Sequence, residues 1–262
     1  MTSAKNAKQA DTPEQIKKKI IKRFITNVKG RKPDTSRSNL AHDGKGGHWL
    51  EKQMGVAHNA SNTPDIDGFE MKNDTGSKTT FGDWSPKYRI YKKGNEHGLD
   101  RTMFLEIFGA PNILKENRHS WSGKPTPKVG DYNTFGQKLV VDKEGNIFAM
   151  YSFSKDKRPN KSKVFPKALR QEKLVLARWD ADLMKLRVER KFNNLGWFKC
   201  LKTDGVYSNI VFGRPINFKK WIDDVRKGEI FFDSGMYAGN PRPYSQWRAG
   251  NDYWESLVTE KY

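Results

Sequence analysis

Three acids and a lysine stand close together between residues 65 and 72. The last four of these residues alternate apolar and charged, and strand side chains alternate faces with a period of two. Phe69 and Met71 are therefore predicted to face a core, while Glu70 and Lys72 share the opposite face. Hard divalent ions such as Mg²⁺ prefer carboxylate oxygens, and hydrolysis of a phosphodiester needs such an ion to organise water and to neutralise charge on the phosphate. Asp65 and Glu70 are the candidate metal ligands.

Asp65 lies one turn upstream of this strand. Pro64 and Gly68 bracket it and allow the backbone to bend, which aims its carboxylate toward Glu70. Lys72 is then placed to position or deprotonate an attacking water, or to stabilise a pentavalent transition state. The alternative is an exposed edge strand with ordinary charges, because an acid-x-lysine triplet alone is common.

Glu51 is a further candidate acid, on a short helix predicted from Trp49 to Met54 and closed by Gly55. If Trp49 or Leu50 packs inward, the Glu51 carboxylate is able to reach the same pocket. A third carboxylate would hold the ion or orient Lys72.

The glycine-rich run 46–56, then Asn59, then the stretch 64–72 resembles the active-site region of the MutH-type nucleases. It is most similar to the MvaI/BcnI restriction endonucleases, which read Leu-Glu, a short gap, Gly, Asn, Pro-Asp, Gly and Glu-x-Lys in this order. The resemblance covers residues 44–75, and it fixes five polar positions and several glycines in one short span.

The resemblance implies a PD-(D/E)xK nuclease core, in which Asp65 and Glu70 ligate Mg²⁺, Lys72 is the catalytic lysine and Glu51 is the auxiliary acid on the preceding helix. It also implies double-stranded DNA as substrate, 5′-phosphate products and enzymes that commonly act as monomers, a dimer being the alternative. Weaker similarity through residues 188–193 and 232–235 makes Lys191 the candidate for a further lysine that also contacts DNA. The stretch 240–248 departs from the family, whose members often end in a His-bearing recognition strand.

Charge points independently to nucleic acid. The chain has 49 Lys and Arg against 30 Asp and Glu, a net charge of +19, and an extended polyanion best offsets that surplus. No apolar run approaches the roughly 20 residues that a membrane span requires. The first eleven residues lack the apolar centre of a signal peptide, which predicts a cytoplasmic protein. The single cysteine, Cys200, excludes an internal disulfide and is predicted to be buried.

The hydrophobic pattern predicts a mixed α/β fold, with a mixed sheet flanked by helices and a smaller C-terminal recognition lobe that forms a DNA-binding cleft. A first helix is expected from Thr12 and Pro13 to about Gly30, and another around Phe218 to Gly228. We expect a flexible tail at 1–11, a catalytic core at 12–200 and the recognition lobe at 201–262. The segment 155–167 is expected to be a flexible basic loop, and strands are expected at 103–108, 138–142, 147–153, 174–179, 196–202 and 206–212.

Side chains that suit base edges are concentrated near the C-terminus. Arg pairs best with guanine, and Gln or Asn with adenine. The candidates for DNA contact here are Arg242, Tyr244, Gln246 and Arg248. Alternatively, Tyr244, Trp247 and Trp254 are core anchors on which Arg248 stacks. The candidates for phosphate contact are Lys155, Lys157, Arg158, Lys161 and Lys163.

Three classes of function remain open at this point. The leading hypothesis is a sequence-specific type II restriction endonuclease, and the second is a MutH-like nicking or repair endonuclease. The third is a basic DNA-binding protein without catalysis. An HNH nuclease is disfavoured, because His42, His48 and His58 lack the hairpin-helix context and the zinc cysteines of that class.

Overall fold

The computed structural model describes residues 10–34, 36, 45–56 and 62–262. The helices are α1 Pro13–Asn27, α2 Lys45–Gln53, α3 Arg101–Phe108, α4 Lys161–Val164, α5 Ala181–Phe192, α6 Phe218–Lys227 and α7 Asn251–Ser256. The strands are β1 Phe69–Asn73, β2 Lys78–Asp83, β3 Tyr88–Arg89, β4 Ala110–Asn112, β5 Arg118–Trp121, β6 Phe135–Val141, β7 Ile147–Asp156, β8 Leu174–Trp179, β9 Gly196–Thr203, β10 Val206–Gly213, β11 Ile230–Asp233, β12 Met236–Tyr237, β13 Gln246–Gly250 and β14 Val258–Lys261.

The chain forms two compact units, and the first contains residues 1–74, 190–215 and 257–262. Its four-stranded sheet has the order β1-β9-β10-β14. Strand β1 runs parallel to β9, and the other two pairings are antiparallel. The core on one sheet face is built by two helices and the apolar residues of the strands. Phe24 of α1 and Leu50 of α2 pack there with the strand residues Phe69, Met71 and Phe198.

The first helix follows the predicted cap. The Thr12 hydroxyl accepts from the backbone N–H of Gln15, and the Gln15 side chain accepts from the backbone N–H of Thr12. Pro13 occupies the first turn, where its missing N–H leaves no bond unmade. The helix ends at Asn27, and Gly30 follows with a φ of +77°.

The second unit contains residues 75–189 and 216–256. Its sheets have the orders β11-β13-β2, β12-β5-β4 and β3-β8-β7-β6. An aromatic cluster forms its core, in which the Trp247 ring centroid lies 5.3 Å from Trp221, 5.4 Å from Trp179 and 5.6 Å from Phe232. The interpretation of Trp247 and Trp254 as core anchors is confirmed, since both are fully buried.

The predicted strand at 103–108 is wrong, because these residues form the helix α3. The Asp100 carboxylate caps it by accepting from the backbone N–H of Met103 at 2.8 Å. Phe104 and Phe108 are buried one helical turn apart, together with Leu105 and Ile107. A short run of apolar residues does not distinguish a strand from a buried helix. The Asp100 cap favours the helix.

The predicted boundary at residue 200 does not coincide with the two units. Residue 200 lies inside β9, which pairs with β1 on one side and β10 on the other. Dividing the chain there would break this sheet, so residues 201–215 and 257–262 belong with the first unit.

The segment 155–167 is not the flexible loop that its charge predicted. It contains the end of β7 and the short helix α4. The Lys161 ammonium donates to the carbonyls of Phe153 at 2.8 Å and Asp156 at 2.7 Å. The Lys161 ammonium, which the sequence alone assigned to phosphate contact, is therefore bound to backbone carbonyls of the chain itself.

Other predicted elements are confirmed. The strands at 138–142, 147–153, 174–179, 196–202 and 206–212 correspond to β6 through β10, and α6 ends at Gly228 as expected. Helix α2 begins at Lys45, four residues earlier than predicted. Among the described helices, none is both long and apolar enough to cross a membrane.

Arg158 is expected to stabilise the fold rather than to contact DNA. Its guanidinium binds the buried Asp156 carboxylate at 2.7 Å and the Ile107 carbonyl at 3.0 Å. Removing one partner of a buried ion pair leaves an uncompensated charge, so Arg158→Ala should lower the free energy of unfolding by about 3–5 kcal/mol. Urea denaturation measures the free energy of unfolding. The control is Lys157→Ala, which changes the exposed residue next to Arg158. Equal stability of the two variants would contradict the assignment.

Candidate active site

A tight turn brings Asp65 back beside β1. Ile66 and Phe69 exchange two backbone hydrogen bonds, at 3.0 and 2.7 Å. The two residues between them, Asp67 and Gly68, have φ of +42° and +94°. A two-residue turn with positive φ at both positions favours Asp-Gly. The turn lets the Asp65 carboxylate accept from the backbone N–H of Met71 at 2.9 Å.

Strand β1 shows the predicted alternation. Phe69 and Met71 pack in the core of the first unit, and Glu70 and Lys72 point to the other face of the strand. Glu70 is only 1% exposed and Lys72 only 8% exposed. An edge strand carrying ordinary surface charges is therefore excluded, although β1 does stand at the edge of its sheet.

Two lysines converge on one oxygen of Glu70. Lys72 Nζ lies 2.7 Å from Glu70 Oε1, and Lys191 Nζ lies 3.2 Å from the same atom. Lys191 comes from the last turn of α5, and Phe192 beside it has its ring centroid 5.1 Å from Lys72 Nζ. The structure thus brings together Asp65, Glu70, Lys72 and Lys191, three of them in one short stretch and the fourth from a distant helix.

Burial dominates the electrostatics of this cluster. It raises the pKa of the Glu70 carboxyl, an effect that Lys72 and Lys191 oppose and the negative charge of Asp65 reinforces. Burial also lowers the pKa of the Lys72 ammonium, while its contact with Glu70 works in the other direction and Lys191 lowers it further. A buried acid and a buried amine that both disfavour their charged forms are typical of reactive sites.

The cluster fits a hard divalent cation. The second oxygen of Glu70, Oε2, is buried and accepts no hydrogen bond from the described residues. Leaving a buried carboxylate oxygen without a partner is costly, and a cation there would relieve that cost. In the described part of the chain no group of three His, Cys, Asp or Glu could hold a metal. Mg²⁺ is commonly held by one or two carboxylates plus water and phosphate oxygens, and Asp65 and Glu70 match that set of donors.

The auxiliary acid Glu51 stays a prediction. It lies half-buried on α2, between Leu50 and the helix end, while Leu50 and Met54 are buried in the core that contains Phe69 and Met71. His48 lies on the same helix, and His42, His58 and Asn59 lie outside the described residues.

Sequence reasoning missed a second buried lysine, Lys199. It stands opposite Lys72 in the parallel register of β1 and β9 and is 3% exposed. Its ammonium lies 3.3 Å from the Asp74 carboxylate. The signal was present, since Lys199 is the one charged residue in the apolar run 197–201. Cys200 beside it is buried as predicted, and burial raises the pKa of its thiol.

The predicted DNA-contacting residues lie in the second unit. Arg242 is exposed, with its guanidinium 2.6 Å from Asp83 and 4.6 Å from the Tyr244 ring centroid. Gln246 and Arg248 stand two residues apart on β13, and the Arg248 guanidinium donates to the Gln246 side-chain oxygen. The predicted phosphate contacts divide, because Lys155 and Lys157 are exposed whereas Arg158 is held by Asp156.

Comparisons with known proteins agree with one another. A family model described as LlaMI restriction endonuclease matches residues 28–262. The type II restriction enzyme ScrFI of Lactococcus lactis subsp. cremoris is 46% identical over 264 residues, covering 93% of this chain and 97% of the relative. The solved structure of restriction endonuclease MvaI with its cognate DNA substrate aligns with a TM-score of 0.61 at 13% identity, over 97% of this chain and 98% of that one. This likeness confirms the predicted mixed α/β fold of the PD-(D/E)xK type.

Asp65 is expected to have a structural effect separable from its charge. Asp65→Ala removes the acceptor for the Met71 N–H and should lower the free energy of unfolding by about 1–3 kcal/mol. Asp65→Asn retains a side-chain oxygen there and should stay close to the wild type in stability. Urea denaturation of both variants measures the difference. Equal destabilisation would show that the charge, not the acceptor, stabilises the turn.

Proposed function

The chain belongs to the LlaMI restriction endonuclease family, and we propose that residues of its first unit hydrolyse DNA with Mg²⁺. It is a sequence-specific type II restriction endonuclease that acts on double-stranded DNA. One observation carries the catalytic assignment: the buried Glu70 carboxylate has one oxygen between two lysines and the other without a hydrogen-bond partner among the described residues.

Asp65 and Glu70 are the proposed metal ligands. Enzymes of this kind generally use a divalent metal ion, and hard oxygen donors select Mg²⁺ over softer metals. When bound, Mg²⁺ would supply a Lewis acid that polarises the phosphate and neutralises its developing charge. Asp65 meanwhile keeps one oxygen on the Met71 N–H, which fixes the position of its carboxylate relative to β1.

Lys72 is proposed to act on the attacking water. Its lowered pKa makes the neutral amine accessible nearer neutral pH, so the amine can accept a proton from water. In the protonated form, the ammonium instead stabilises the negative charge of the pentavalent transition state. Phe192 packs beside the amine and excludes solvent from it, since its own side chain is fully buried.

The proposed reaction exchanges one bond to phosphorus for another. The water oxygen forms a bond to phosphorus as the bond from phosphorus to the 3′-oxygen breaks. The cut strand is left with a 5′-phosphate on one fragment and a 3′-oxygen on the other, which takes a proton from solvent to become a hydroxyl. The Lys191 ammonium is proposed to bind the phosphate as its charge grows, and Glu51 to assist the metal ligands. The resemblance to monomeric enzymes supports a monomer as the active form.

Recognition is proposed to lie with Arg242, Tyr244, Gln246 and Arg248. Arg242 is exposed and stacked on Tyr244, which presents its guanidinium in a fixed orientation. Gln246 and Arg248 share one face of β13, as residues two apart on a strand must. Lys155 and Lys157 are exposed and suit phosphate, which sets affinity but not sequence.

Two alternatives receive less support. A basic DNA-binding protein without catalysis has no need for a buried acid flanked by two lysines, because burying such charges opposes folding. A MutH-like nicking enzyme shares this site, but the 46% identity is to a type II restriction enzyme.

Loss of any one central group should abolish cleavage. Asp65→Asn, Glu70→Gln and Lys72→Met should each lower the cleavage rate at least a hundredfold while DNA binding survives, because each removes a metal ligand or the catalytic amine. The assay is incubation of a long DNA of known sequence with Mg²⁺, followed by sequencing of the ends. It reports activity, site and cut geometry together.

Asp67→Asn is the matched control, because Asp67 is an exposed acid in the same stretch and Asn tolerates its positive φ. Its cleavage rate should equal that of the wild type. Metal-dependent cutting that persists in both Asp65→Asn and Lys72→Met would refute the proposed centre.

Lys191 should set the acid limit of activity. Its ammonium lowers the pKa of Glu70, so Lys191→Met should raise that pKa. A carboxyl with a higher pKa becomes protonated at higher pH, and the acid limb of the pH–rate profile should move upward. Lys185→Met, on the exposed side of the same helix, should leave the profile in place. An unchanged acid limb in Lys191→Met would show that Glu70 does not titrate there.

A further inference from the structure

The sheet β11-β13-β2 has a polar face, opposite the face that packs in the aromatic core. Trp247 and Ala249 of β13 are buried, so Gln246 and Arg248 point to the other face. In the antiparallel register, Asp233 of β11 stands opposite Gln246. Lys78 of β2 stands opposite Gly250. One sheet face therefore carries an acid, an amide and two cations, all half-buried.

The acid on this face is fixed between the two cations. The Lys78 ammonium donates to Asp233 Oδ2, and Arg248 Nη1 lies 3.5 Å from the same oxygen. Arg248 also donates to Gln246, while its Nε is buried without a hydrogen-bond partner in the described part of the chain. The Asp233 side chain is 14% exposed, which leaves part of the carboxylate reachable from outside.

A cavity borders this carboxylate. It has a volume of about 560 Å³ and is lined by Lys78, Asp233, Phe231 and the loop that carries Thr126. Thr126 is 4% exposed, and its hydroxyl has no partner among the described residues. Space, unmet hydrogen-bonding capacity and a fixed carboxylate thus occur together within the second unit.

On a face that binds DNA, a fixed carboxylate can bind favourably only to a hydrogen-bond donor of the DNA. Phosphates repel it, and an ionised carboxylate only accepts hydrogen bonds. In the major groove the donors are the exocyclic amino groups, N4 of cytosine and N6 of adenine, and Asp pairs with cytosine N4. In a C·G pair this N4 lies about 2.9 Å from guanine O6, the length of their hydrogen bond. The 3.5 Å between Asp233 and Arg248 is a similar spacing of acceptor and donor.

We infer that Asp233 is a specificity-determining residue, which accepts a hydrogen bond from the exocyclic amino group of a base, cytosine by preference. Lys78 and Arg248 hold its carboxylate and offset its repulsion from DNA. The inference rests on the proposed function, since it takes double-stranded DNA as the ligand of this face.

Methylated bases test the contact directly. An N4-methyl group on paired cytosine replaces the hydrogen that points into the major groove, and N6-methyladenine does the same for adenine. Selection of bound duplexes from a random pool, with Ca²⁺ in place of Mg²⁺, defines the site without requiring cleavage. Affinities are then measured for that site with each cytosine or adenine methylated in turn, in the wild type and in Asp233→Ala.

The wild type should lose roughly ten- to a hundredfold in affinity when one particular base is methylated. Asp233→Ala should bind the unmodified site more weakly by a similar factor and show no further loss on methylation. The position that shows this non-additivity identifies the base, whether cytosine or adenine. Asp223→Ala, which removes an ion-paired acid on α6, should retain the full methylation penalty.

Asp233→Asn keeps the size of the side chain and guards against misfolding. Its amide both donates and accepts, so it should relax selection at the same base pair. Additive losses in Asp233→Ala, together with unchanged selection by Asp233→Asn, would overturn the inference. Failure of the wild type to select any sequence would instead count against the proposed recognition function.

Discussion

The parallel pairing of β1 with β9 is the constraint on which the geometry of the proposed catalytic site depends. It buries a strand whose residues include an acid and a lysine, and it sets Lys199 opposite Lys72. Burying these charges opposes folding, and the opposite face offsets that cost with the apolar contacts of Phe69 and Met71. Apolar packing thus keeps the Glu70 carboxylate buried, although burial of a carboxylate is unfavourable by itself.

The resulting site is incomplete in a chemically specific way. Glu70 Oε1 has two cationic partners, whereas Oε2 is buried with none among the described residues. A divalent ion binds the ionised form, so it would reverse the effect of burial on the Glu70 pKa. The same burial that makes the cluster unfavourable on its own makes binding of a cation there favourable.

The sequence predicts the parts of this site that local rules govern. Alternation along 69–72 and the bend that Pro64 and Gly68 allow around Asp65 follow from strand periodicity and backbone chemistry, which act within a few residues. Lys191 is predicted only through a resemblance, because no local rule links it to Glu70, which lies 121 residues earlier in the chain. The segment 103–108 is predicted as a strand but lies in helix α3, since the Asp100 cap outweighs an apolar pattern that fits both structures. Arg158 looked like a phosphate contact because charge alone does not reveal a buried partner.

The charges of the two units have different surroundings, and the difference matches the roles proposed for them, hydrolysis in the first unit and base recognition in the second. In the first unit an acid is buried with one oxygen left without a described partner, which suits binding of an ion. In the second unit Asp233 is held by Lys78 and Arg248 on a face beside a cavity. A group that discriminates must form its contact without being reordered, and cations fixed on a sheet provide that preorganisation. The ion pairs of β11, β13 and β2 therefore suit recognition, because a base donor can add to a carboxylate that the two cations already hold, with little change to the underlying sheet.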